Sequence, residues 1–250
     1  MSVLLAAATA ESADPPLETL YLLEPAPAEE RLARIAAMAE AVVAGARPPF
    51  LLVWRALPAL VVTRSQTRLP SYADACEVMA GEGWPVVVRA SGGGAFAVSP
   101  GTLQVSVITT REHAGGASFD AMYRALAEPC IAALERLGVR ARIGAVARAP
   151  CAGGYDIAAG GRKIGGLAQR WRGDGAVIVE ASLIIDADPL AFAGTVNRFH
   201  ALAGSDWSCD RSSVTSVAAV QGFAFAGAPD AVVRCAALLA SALAGFRIPP

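Results

Sequence analysis

The hydrophobic positions of this chain repeat with two different periods, and each period predicts one kind of element. Apolar residues at helical spacing predict helices over residues 29–44, 72–81, 119–137, 189–200 and 229–244. Short apolar runs predict strands over residues 51–54, 60–63, 86–90, 103–109 and 139–143. Because strands and helices alternate unevenly, we expect an α/β or α+β fold built on a mixed central β-sheet.

The first part of the chain differs from the rest in composition. Residues 1–26 are rich in alanine and proline and are predicted to be an N-terminal tail, with residues 17–23 as a candidate short strand. No later stretch contains enough proline, glycine or serine to separate two domains. Residues 27–250 are therefore predicted to form a single domain, with a helical C-terminal extension from about residue 201.

Polar residues and prolines predict where two of the helices begin and where one is interrupted. Ser118 is the expected N-cap of the helix that begins at Phe119. Asp188 followed by Pro189 is the usual combination of an N-cap with proline at the first helical position. Pro129 lies inside a predicted helix and is expected to kink it or break it, because proline removes a backbone donor.

Residues 151–185 combine glycine-rich turns with apolar arms. Residues 155–158 and 164–168 predict the two strands of a hairpin, because the two glycines between them supply the positive φ of a tight turn. The hairpin would bring Cys151 and Lys163, twelve residues apart, to the same end of one sheet. A neighbouring lysine stabilises the thiolate, which is the nucleophilic form of cysteine. The stretch therefore predicts a covalent acyl-transfer site.

A second glycine-rich segment, Arg89-Ala90-Ser91-Gly92-Gly93-Gly94, follows a predicted buried strand. Three glycines allow a backbone to lie close to a ligand and to offer N–H groups to a carbonyl or a phosphate. The segment has neither the GK[ST] ending of a Walker loop nor the GxGxxG spacing of a dinucleotide site. A turn without a ligand is the ordinary alternative for such a segment.

Composition excludes several classes of function. With 54% hydrophobic residues, 17% charged residues and a net charge of −1, the chain has no charge excess that attracts nucleic acid or an anionic membrane. No uncharged apolar stretch is long enough to span a bilayer. Two histidines and five cysteines show no metal-ligand spacing, so no metal is expected. An odd number of cysteines without CxxC indicates a reducing compartment, and we expect a cytoplasmic protein.

The cysteines and the lysine are not equivalent candidates. Three cysteines lie in apolar helical patterns and are expected in the core, namely Cys76, Cys130 and Cys235. Cys209 lies in a polar loop and is expected to be exposed. Lys163 is the single lysine of the chain, and lysine, unlike arginine, can give up its proton when desolvated. The two histidines, His113 and His200, are expected in a loop and at a helix end rather than as a catalytic pair.

Two motifs together resemble the signature blocks of the biotin/lipoate protein ligase and octanoyltransferase superfamily. They are residues 89–95, RASGGGA, and residues 161–169, GRKIGGLAQ, and Arg64-Ser65-Gln66 is similar to a third block. The resemblance covers about residues 30–200. It implies a mixed central β-sheet flanked by helices, with a smaller second sheet beside it.

Residues 150–157, PCAGGYDI, resemble the octanoyltransferases that carry a nucleophilic cysteine on this loop. They are especially similar to the amidotransferase branch, which moves octanoyl groups from the glycine-cleavage H protein to other lipoyl domains. The resemblance implies that Cys151 forms a thioester and that Lys163 orients the acyl carbonyl and acts as acid or base. It implies substrate contacts at Arg64, Gln66, Arg89, Ser91, Gly92, Gly93, Gly94, Ala95, Tyr155, Asp156, Gly165, Gly166 and Gln169.

The same resemblance implies no cofactor, because the incoming acyl group is already activated or is exchanged from another protein. The implied partners are lipoyl domains of 2-oxoacid dehydrogenases or the glycine-cleavage H protein, with octanoyl carrier protein as a possible donor. Many members have a His-Asp pair where this chain has Val98 and Ser99. That departure favours the amidotransferase branch. The alternatives are an ATP-dependent lipoate ligase, with Lys163 at an acyl-adenylate, and a non-catalytic acyl- or carrier-binding protein.

Overall fold

The computed structural model describes residues 15–222 and 230–249, and two β-sheets organise them. The strands are β1 (Glu18–Ala26), β2 (Phe50–Ala56), β3 (Ala59–Thr63), β4 (Val86–Arg89), β5 (Phe96–Val98), β6 (Thr102–Thr110), β7 (Ala141–Ile143), β8 (Asp156–Ala159), β9 (Arg162–Trp171) and β10 (Ala176–Ile184). The large sheet has seven strands in the order β1-β2-β6-β10-β9-β8-β7. The small sheet has three, in the order β4-β3-β5.

Both sheets are mixed. In the large sheet β1 runs parallel to β2, whereas the other neighbouring strands are antiparallel. In the small sheet β3 pairs with β4 in parallel and with β5 antiparallel. The resemblance predicted this pair of a central mixed sheet and a smaller second sheet, and the prediction is confirmed.

Helices cover both faces of the large sheet. They are α1 (Ala28–Val43), α2 (Tyr72–Gly81), α3 (Phe119–Arg136), α4 (Pro189–Leu202), α5 (Val217–Gln221) and α6 (Ala231–Leu243). On one face α3 and α6 pack against each other and against the sheet. On the other face lie α1, α4 and the small sheet, and their apolar residues form a second buried cluster. The space between the two sheets is therefore enclosed on several sides.

The candidate short strand at residues 17–23 is present, and it continues through residues 24–26, which were predicted as tail; residues 18–26 are therefore a single strand. They form β1, which pairs with β2 over the register Glu18↔Phe50 to Leu22↔Trp54. Leu20 and Leu22 pack against the buried cluster, so the strand is fixed by side-chain burial as well as by backbone hydrogen bonds. The predicted tail residues 1–14 lie outside the described residues.

The helix around Pro129 also differs from its prediction. Helix α3 runs without a break from Phe119 to Arg136, with Pro129 inside it. Proline cannot donate to the carbonyl four residues earlier. Leu126 and Cys130, on either side of Pro129, are completely buried in the cluster beneath the helix, and this packing holds the two halves in one element. Ser118 caps the helix as predicted, accepting a hydrogen bond from the backbone N–H of Ala121 at 3.1 Å.

The described helices contain none whose length and apolar character suffice to cross a membrane.

Candidate active site

The predicted hairpin is present and carries one side of the candidate site. Strands β8 and β9 are joined by a tight turn in which Gly160 and Gly161 have φ values of +57° and +77°. Glycine adopts these left-handed values without a steric penalty, which is why this turn forms here. Lys163 follows the turn on β9, and its backbone forms a bridge with Val214. The hairpin thus places the single lysine in the interior of the domain.

Lys163 and Asp156 form a buried ion pair at the base of this hairpin. Lys163 Nζ lies 2.7 Å from Asp156 Oδ1, and each residue is only 2% exposed. The ammonium also donates to the carbonyl oxygens of Pro150 at 2.9 Å and of Cys151 at 2.7 Å. All three of its donors are therefore engaged by oxygens, as a buried cation requires.

Asp156 has its own additional donors. Its carboxylate accepts hydrogen bonds from the backbone N–H groups of Val146 at 3.1 Å and of Gly153 at 3.2 Å. The ion pair consequently links strand β8 to the loop that contains Cys151 from both sides. In this structure Lys163 and Asp156 fix the position of that loop.

The Cys151 thiol faces the glycine segment after β4. Its Sγ accepts a hydrogen bond from the backbone N–H of Gly94 at 3.0 Å and one from Arg89 Nη2 at 3.4 Å. A guanidinium and an oriented N–H both favour the thiolate over the thiol. The sequence pointed to Lys163 as the cation beside the sulfur, but the cation that contacts the sulfur is Arg89. Lys163 contacts the carbonyl of the same cysteine instead.

The glycines after Arg89 are required by the closeness of this contact. Gly93 has a φ of +108°, and a Cβ built there would lie 2.6 Å from Cys151 Sγ and 2.7 Å from Arg89 Nη2. A Cβ on Gly94 would lie 3.3 Å from Cys151 Cα. Any side chain at Gly93 would displace the thiol or the guanidinium, because atoms do not approach so closely. These glycines therefore allow the segment to close over the cysteine.

Cys151 opens into a cavity between the two sheets. The small sheet and α1 supply apolar residues to one wall, among them Leu32, Val61 and Phe96. The large sheet supplies the opposite wall from the four adjacent strands β2, β6, β10 and β9. That wall consists of Trp54, Gln104, Ser106, Gly166, Leu167, Ala168, Glu180, Ala181 and Ser182. A cysteine, two cations and a partly apolar cavity are thus brought together at one place.

Comparison with known proteins assigns the chain to a family. The model of the lipoyl protein ligase A/B catalytic domain matches residues 27–231. The chain belongs to this family.

Two curated relatives within this family carry the name Octanoyl-[GcvH]:protein N-octanoyltransferase. The protein from Kyrpidia tusciae is 34% identical over 186 residues, which is 71% of this chain and 64% of that protein. The protein from Geobacillus kaustophilus is 33% identical over 169 residues, which is 66% of this chain and 58% of that protein. The chain thus spans about three fifths of the length of these two relatives.

A solved structure of lipoate-protein ligase A bound with ATP has the same fold as this family member. It superposes with a TM-score of 0.62 at 21% identity, covering 93% of this chain and 89% of that chain. The superfamily resemblance drawn from the sequence motifs is confirmed by the family match, and the fold expected from it is confirmed by this superposition.

Several residues that the family resemblance implied as substrate contacts are already engaged within the protein. Gln66 accepts from the backbone N–H of Thr63 at 2.9 Å, and its amide nitrogen lies 3.2 Å from His200 Nε2. Gln169 donates to the carbonyl of Phe119 at 2.9 Å and accepts from Trp171. These contacts hold neighbouring elements together, and neither glutamine lines the cavity at Cys151.

Other implied residues surround the opening of the site. Ser91 donates to Glu180 at 2.9 Å and, with Arg64, lines a larger groove next to the cavity. Tyr155 donates to Asp120, a contact that raises the pKa of the tyrosine, and its ring stacks on Tyr123.

The remaining residues that the resemblance implied as substrate contacts are small, and most of them matter here through the space that they leave open. Gly92 is exposed, with no atom within 4 Å of a built Cβ, and Ala95 is buried in the core. A Cβ on Gly165 would lie 2.6 Å from the carbonyl oxygen of Ser182, and one on Gly166 would lie 3.0 Å from Lys163 Nζ. The two glycines of β9 therefore allow close contacts to β10 and to the lysine.

The polar wall of the cavity was missed by the sequence analysis. Gln104 and Ser106 are two positions apart in the apolar strand β6, and such spacing places both side chains on one face of a sheet. Glu180 and Ser182 repeat this pattern in β10. Period-two polar positions inside two strongly apolar strands were the available signal.

Two expectations about the cysteines are wrong. Cys76 was expected in the core but is only partly buried. Cys209 was expected to be exposed but is only 4% exposed, and its Sγ lies 3.7 Å from the carbonyl of Ala193. Burial raises the pKa of its thiol. Cys130 and Cys235 are buried as expected, and burial raises the pKa of Cys235 to about 12. Among these thiols the one with charged and backbone donors is Cys151.

The parts of the chain that the structure describes contain no cluster of three or more histidine, cysteine, aspartate or glutamate side chains that could hold a metal ion.

Proposed function

We propose that this protein is a cysteine-dependent acyltransferase that moves an octanoyl or lipoyl group onto the lysine of a lipoyl domain. The observation that carries the proposal is the Cys151 sulfur, which receives N–H donors from Gly94 and Arg89 at the entrance of a cavity between two sheets. A partly apolar cavity with a nucleophile at its entrance suits an acyl chain with a reactive carbonyl.

The reaction has two steps. In the first, the Cys151 thiolate attacks the carbonyl carbon of the acyl donor, the bond to the donor's sulfur or nitrogen breaks, and the donor leaves with a proton. In the second, the neutral amine of the acceptor lysine attacks the thioester carbonyl, an amide forms, and the amine loses its extra proton as the thiolate is released. Arg89 and the N–H of Gly94 stabilise the sulfur's negative charge before the first step and after the second.

Arg89 has a further property that supports a role at the substrate. Its Nη2 contacts Cys151 Sγ and the carbonyl of Gly94, but its Nε is buried without a hydrogen-bond partner. A buried donor without a partner costs free energy unless another molecule supplies an acceptor. We assign this donor to an oxygen of the bound acyl substrate.

Lys163 has a different place in this proposal. With its donors on Pro150, Cys151 and Asp156, it holds the nucleophile's loop in place. We retain the prediction that Lys163 orients the acyl carbonyl and acts as acid or base, which requires its ammonium to exchange a loop carbonyl for the acyl carbonyl during the reaction. Arg64 and Ser91, in the groove beside the cavity, are assigned to the surface that meets the donor or acceptor protein.

The names of the curated relatives support the choice of partners. They specify transfer from an octanoylated H protein to another protein. We propose lipoyl domains of 2-oxoacid dehydrogenases and the glycine-cleavage H protein as partners, octanoyl carrier protein as a further donor, and the cytoplasm as the compartment. No cofactor is required by this scheme, because the acyl group arrives already joined to a protein.

Intact-mass analysis tests the proposal. The protein is incubated with octanoylated H protein or octanoyl carrier protein, and one octanoyl group is expected on the enzyme, removable by hydroxylamine. Cys151→Ala should abolish the adduct, whereas the matched variant Cys209→Ala should retain it. A parallel incubation with free lipoate and ATP shows whether adenylation supports transfer. An adduct that persists in Cys151→Ala, or lipoylation that depends on ATP alone, would contradict the proposal.

A further inference from the structure

The wall of the acyl cavity formed by the large sheet is polar at its centre. Gln104 and Ser106 on β6, and Glu180 and Ser182 on β10, all line the cavity. They are direct neighbours across the strands, with Ser182 opposite Gln104 and Glu180 opposite Ser106. Gln104 is 3% exposed and Ser106 is completely buried. These polar groups therefore lie inside the domain rather than at its surface.

Some of their hydrogen-bonding capacity is unused. Gln104 donates one N–H to Thr102 Oγ1 at 3.0 Å and accepts from Ser182, but the second N–H of its amide has no partner among the described residues. Ser106 Oγ accepts from Trp54 Nε1 at 3.1 Å, but its own O–H has no acceptor there. Both atoms already have one hydrogen-bond partner, and the N–H and the O–H that remain are buried donors that a ligand can use. These two point to a partner that occupies the cavity.

The opposite wall has the reverse character. Apart from Arg89 beside Cys151, this wall consists of Val61, Phe96 and Val98 from the small sheet and Leu32 from α1, which present apolar groups to the same cavity. An acyl chain made entirely of methylenes would match this wall. It would also cover the donors of Gln104 and Ser106 without supplying an acceptor, which costs free energy.

We propose that the cavity selects a medium-chain acyl group that carries a hydroxyl on its distal half over the unsubstituted octanoyl chain. This inference rests on the proposed function, since it assumes that the acyl chain on Cys151 fills this cavity. The hydroxyl oxygen accepts from Gln104 and Ser106. The hydroxyl in turn donates a hydrogen bond to Glu180. The Oε2 of that carboxylate accepts from Ser91, and its Oε1 has no partner among the described residues.

The position of the hydroxyl follows from the order of strands. Lys163, beside Cys151, is on β9, whereas Gln104 and Ser106 are on β6, two strands away through β10. Two strand spacings correspond to roughly 10 Å. A polar group at that depth belongs to the distal carbons of the chain rather than to carbons next to the thioester.

The rate of acyl-enzyme formation tests this selection. Octanoyl and 8-hydroxyoctanoyl thioesters of N-acetylcysteamine are compared as donors, with intact mass as the readout. The wild-type protein should react about tenfold faster with the hydroxylated chain, since a site built to bind a hydroxyl disfavours the analogue that lacks it. Ser106→Ala and Gln104→Leu should remove or reverse this preference, and Ser212→Ala, at an exposed serine that does not line the cavity, should leave it unchanged.

A binding experiment separates this inference from the proposed function. Free octanoic acid and free 8-hydroxyoctanoic acid are titrated into Cys151→Ala by calorimetry, which requires no covalent step. If neither thioester acylates the wild type, the proposed function fails. The titration still shows whether the cavity binds the hydroxylated acid more tightly than octanoic acid. A wild type that prefers octanoyl, or a ratio that Ser106→Ala leaves unchanged, overturns the inference and shows that buried water alone pairs with these donors. Circular dichroism of each variant verifies the fold.

Discussion

The two cations beside Cys151 lie in regions that are constructed differently. Lys163 is buried in a hairpin, with every donor engaged by an oxygen and a carboxylate at 2.7 Å. Arg89 ends a short strand of the small sheet, precedes three glycines, and retains a buried donor without a partner. The first region has no free hydrogen-bonding capacity and stabilises the loop. The second has such capacity beside the sulfur and is the one equipped to receive a substrate.

The largest expected effect comes from breaking the Lys163 region. Lys163→Ala would leave the Asp156 carboxylate buried without its cation, and removal of one partner of a buried ion pair costs about 3–5 kcal/mol. Urea denaturation should show this loss in the free energy of unfolding, together with a loss of acyl transfer of about a hundredfold or more. Lys163→Arg should also be severely impaired, because a planar guanidinium cannot reproduce the three contacts of the ammonium.

A double variant separates the charge from the packing. Replacing both partners, as Lys163→Met with Asp156→Leu, should recover much of the lost stability, because no uncompensated charge remains. Acyl transfer should stay low in that variant. If Lys163→Ala unfolds at the same urea concentration as the wild type, the ion pair does not stabilise the hairpin.

The next largest effect is expected from the glycine segment. Gly93→Ala would place a Cβ within 2.7 Å of both Cys151 Sγ and Arg89 Nη2, so the two groups must separate. A misplacement of about 1 Å at a reacting group can reduce the rate about a hundredfold. The matched control is Gly83→Ala, since Gly83 has a comparable φ of +83° but no atom within 4 Å of its Cβ. Both variants have the cost of a Cβ at positive φ, and Gly93→Ala adds the displacement of the thiol and the guanidinium, so equal octanoyl-adduct rates in the two would contradict the steric explanation.

Removing the guanidinium should have a moderate effect that is confined to reactivity. Arg89→Gln retains a polar side chain but loses the charge at 3.4 Å from the sulfur. Alkylation of Cys151 by iodoacetamide at neutral pH should slow by about tenfold, because the nucleophilic sulfur loses the charged donor that stabilises its anionic form. Arg198→Gln, on an exposed ion pair with Glu82, is the control and should leave the alkylation rate unchanged. An unchanged alkylation rate in Arg89→Gln would indicate that Lys163, and not Arg89, activates the Cys151 thiol.

The smallest effect concerns a region away from both cations. Burial lowers the pKa of His200, whose neighbours are the rings of Phe199 and Trp207 and the amide of Gln66. A depressed folded-state pKa means that the unfolded chain binds the proton more readily. Stability is therefore present above the unfolded pKa of about 6.5 and is lost as the pH falls through the folded value. Melting temperatures between pH 7.5 and pH 5 should fall more steeply in the wild type than in His200→Gln.

The sequence predicted local structure well where the signal was itself local. Helix α2 spans the predicted residues 72–81, and the hairpin forms at the predicted pair of glycines. Strand β5 was not predicted, because Phe96–Val98 is too short to show a period and exists only through its pairing with β3. Residues 17–23 were predicted as a candidate short strand, but residues 24–26 were assigned to the tail because proline and alanine dominate there, and the end of β1 is recognised only from its pairing with β2.

The candidate site shows the same division between local and distant information. Cys151 and Lys163 were found from a spacing of twelve residues, but the contact of Arg89 with the cysteine spans 62 residues. The second donor to the sulfur is the backbone N–H of Gly94, which no residue type reveals. Such features require the tertiary fold.

The backbone of Cys151 has a φ of +49°, in the left-handed region that residues with a Cβ seldom occupy. An L-residue there costs roughly 1–2 kcal/mol relative to glycine. Cys151→Ala keeps that cost, whereas Cys151→Gly removes it along with the nucleophile. An inactive Cys151→Gly protein should therefore melt at a higher temperature than the active one. The backbone conformation that positions the thiol therefore lowers the melting temperature of the protein. This is a trade-off between stability and activity at a single residue.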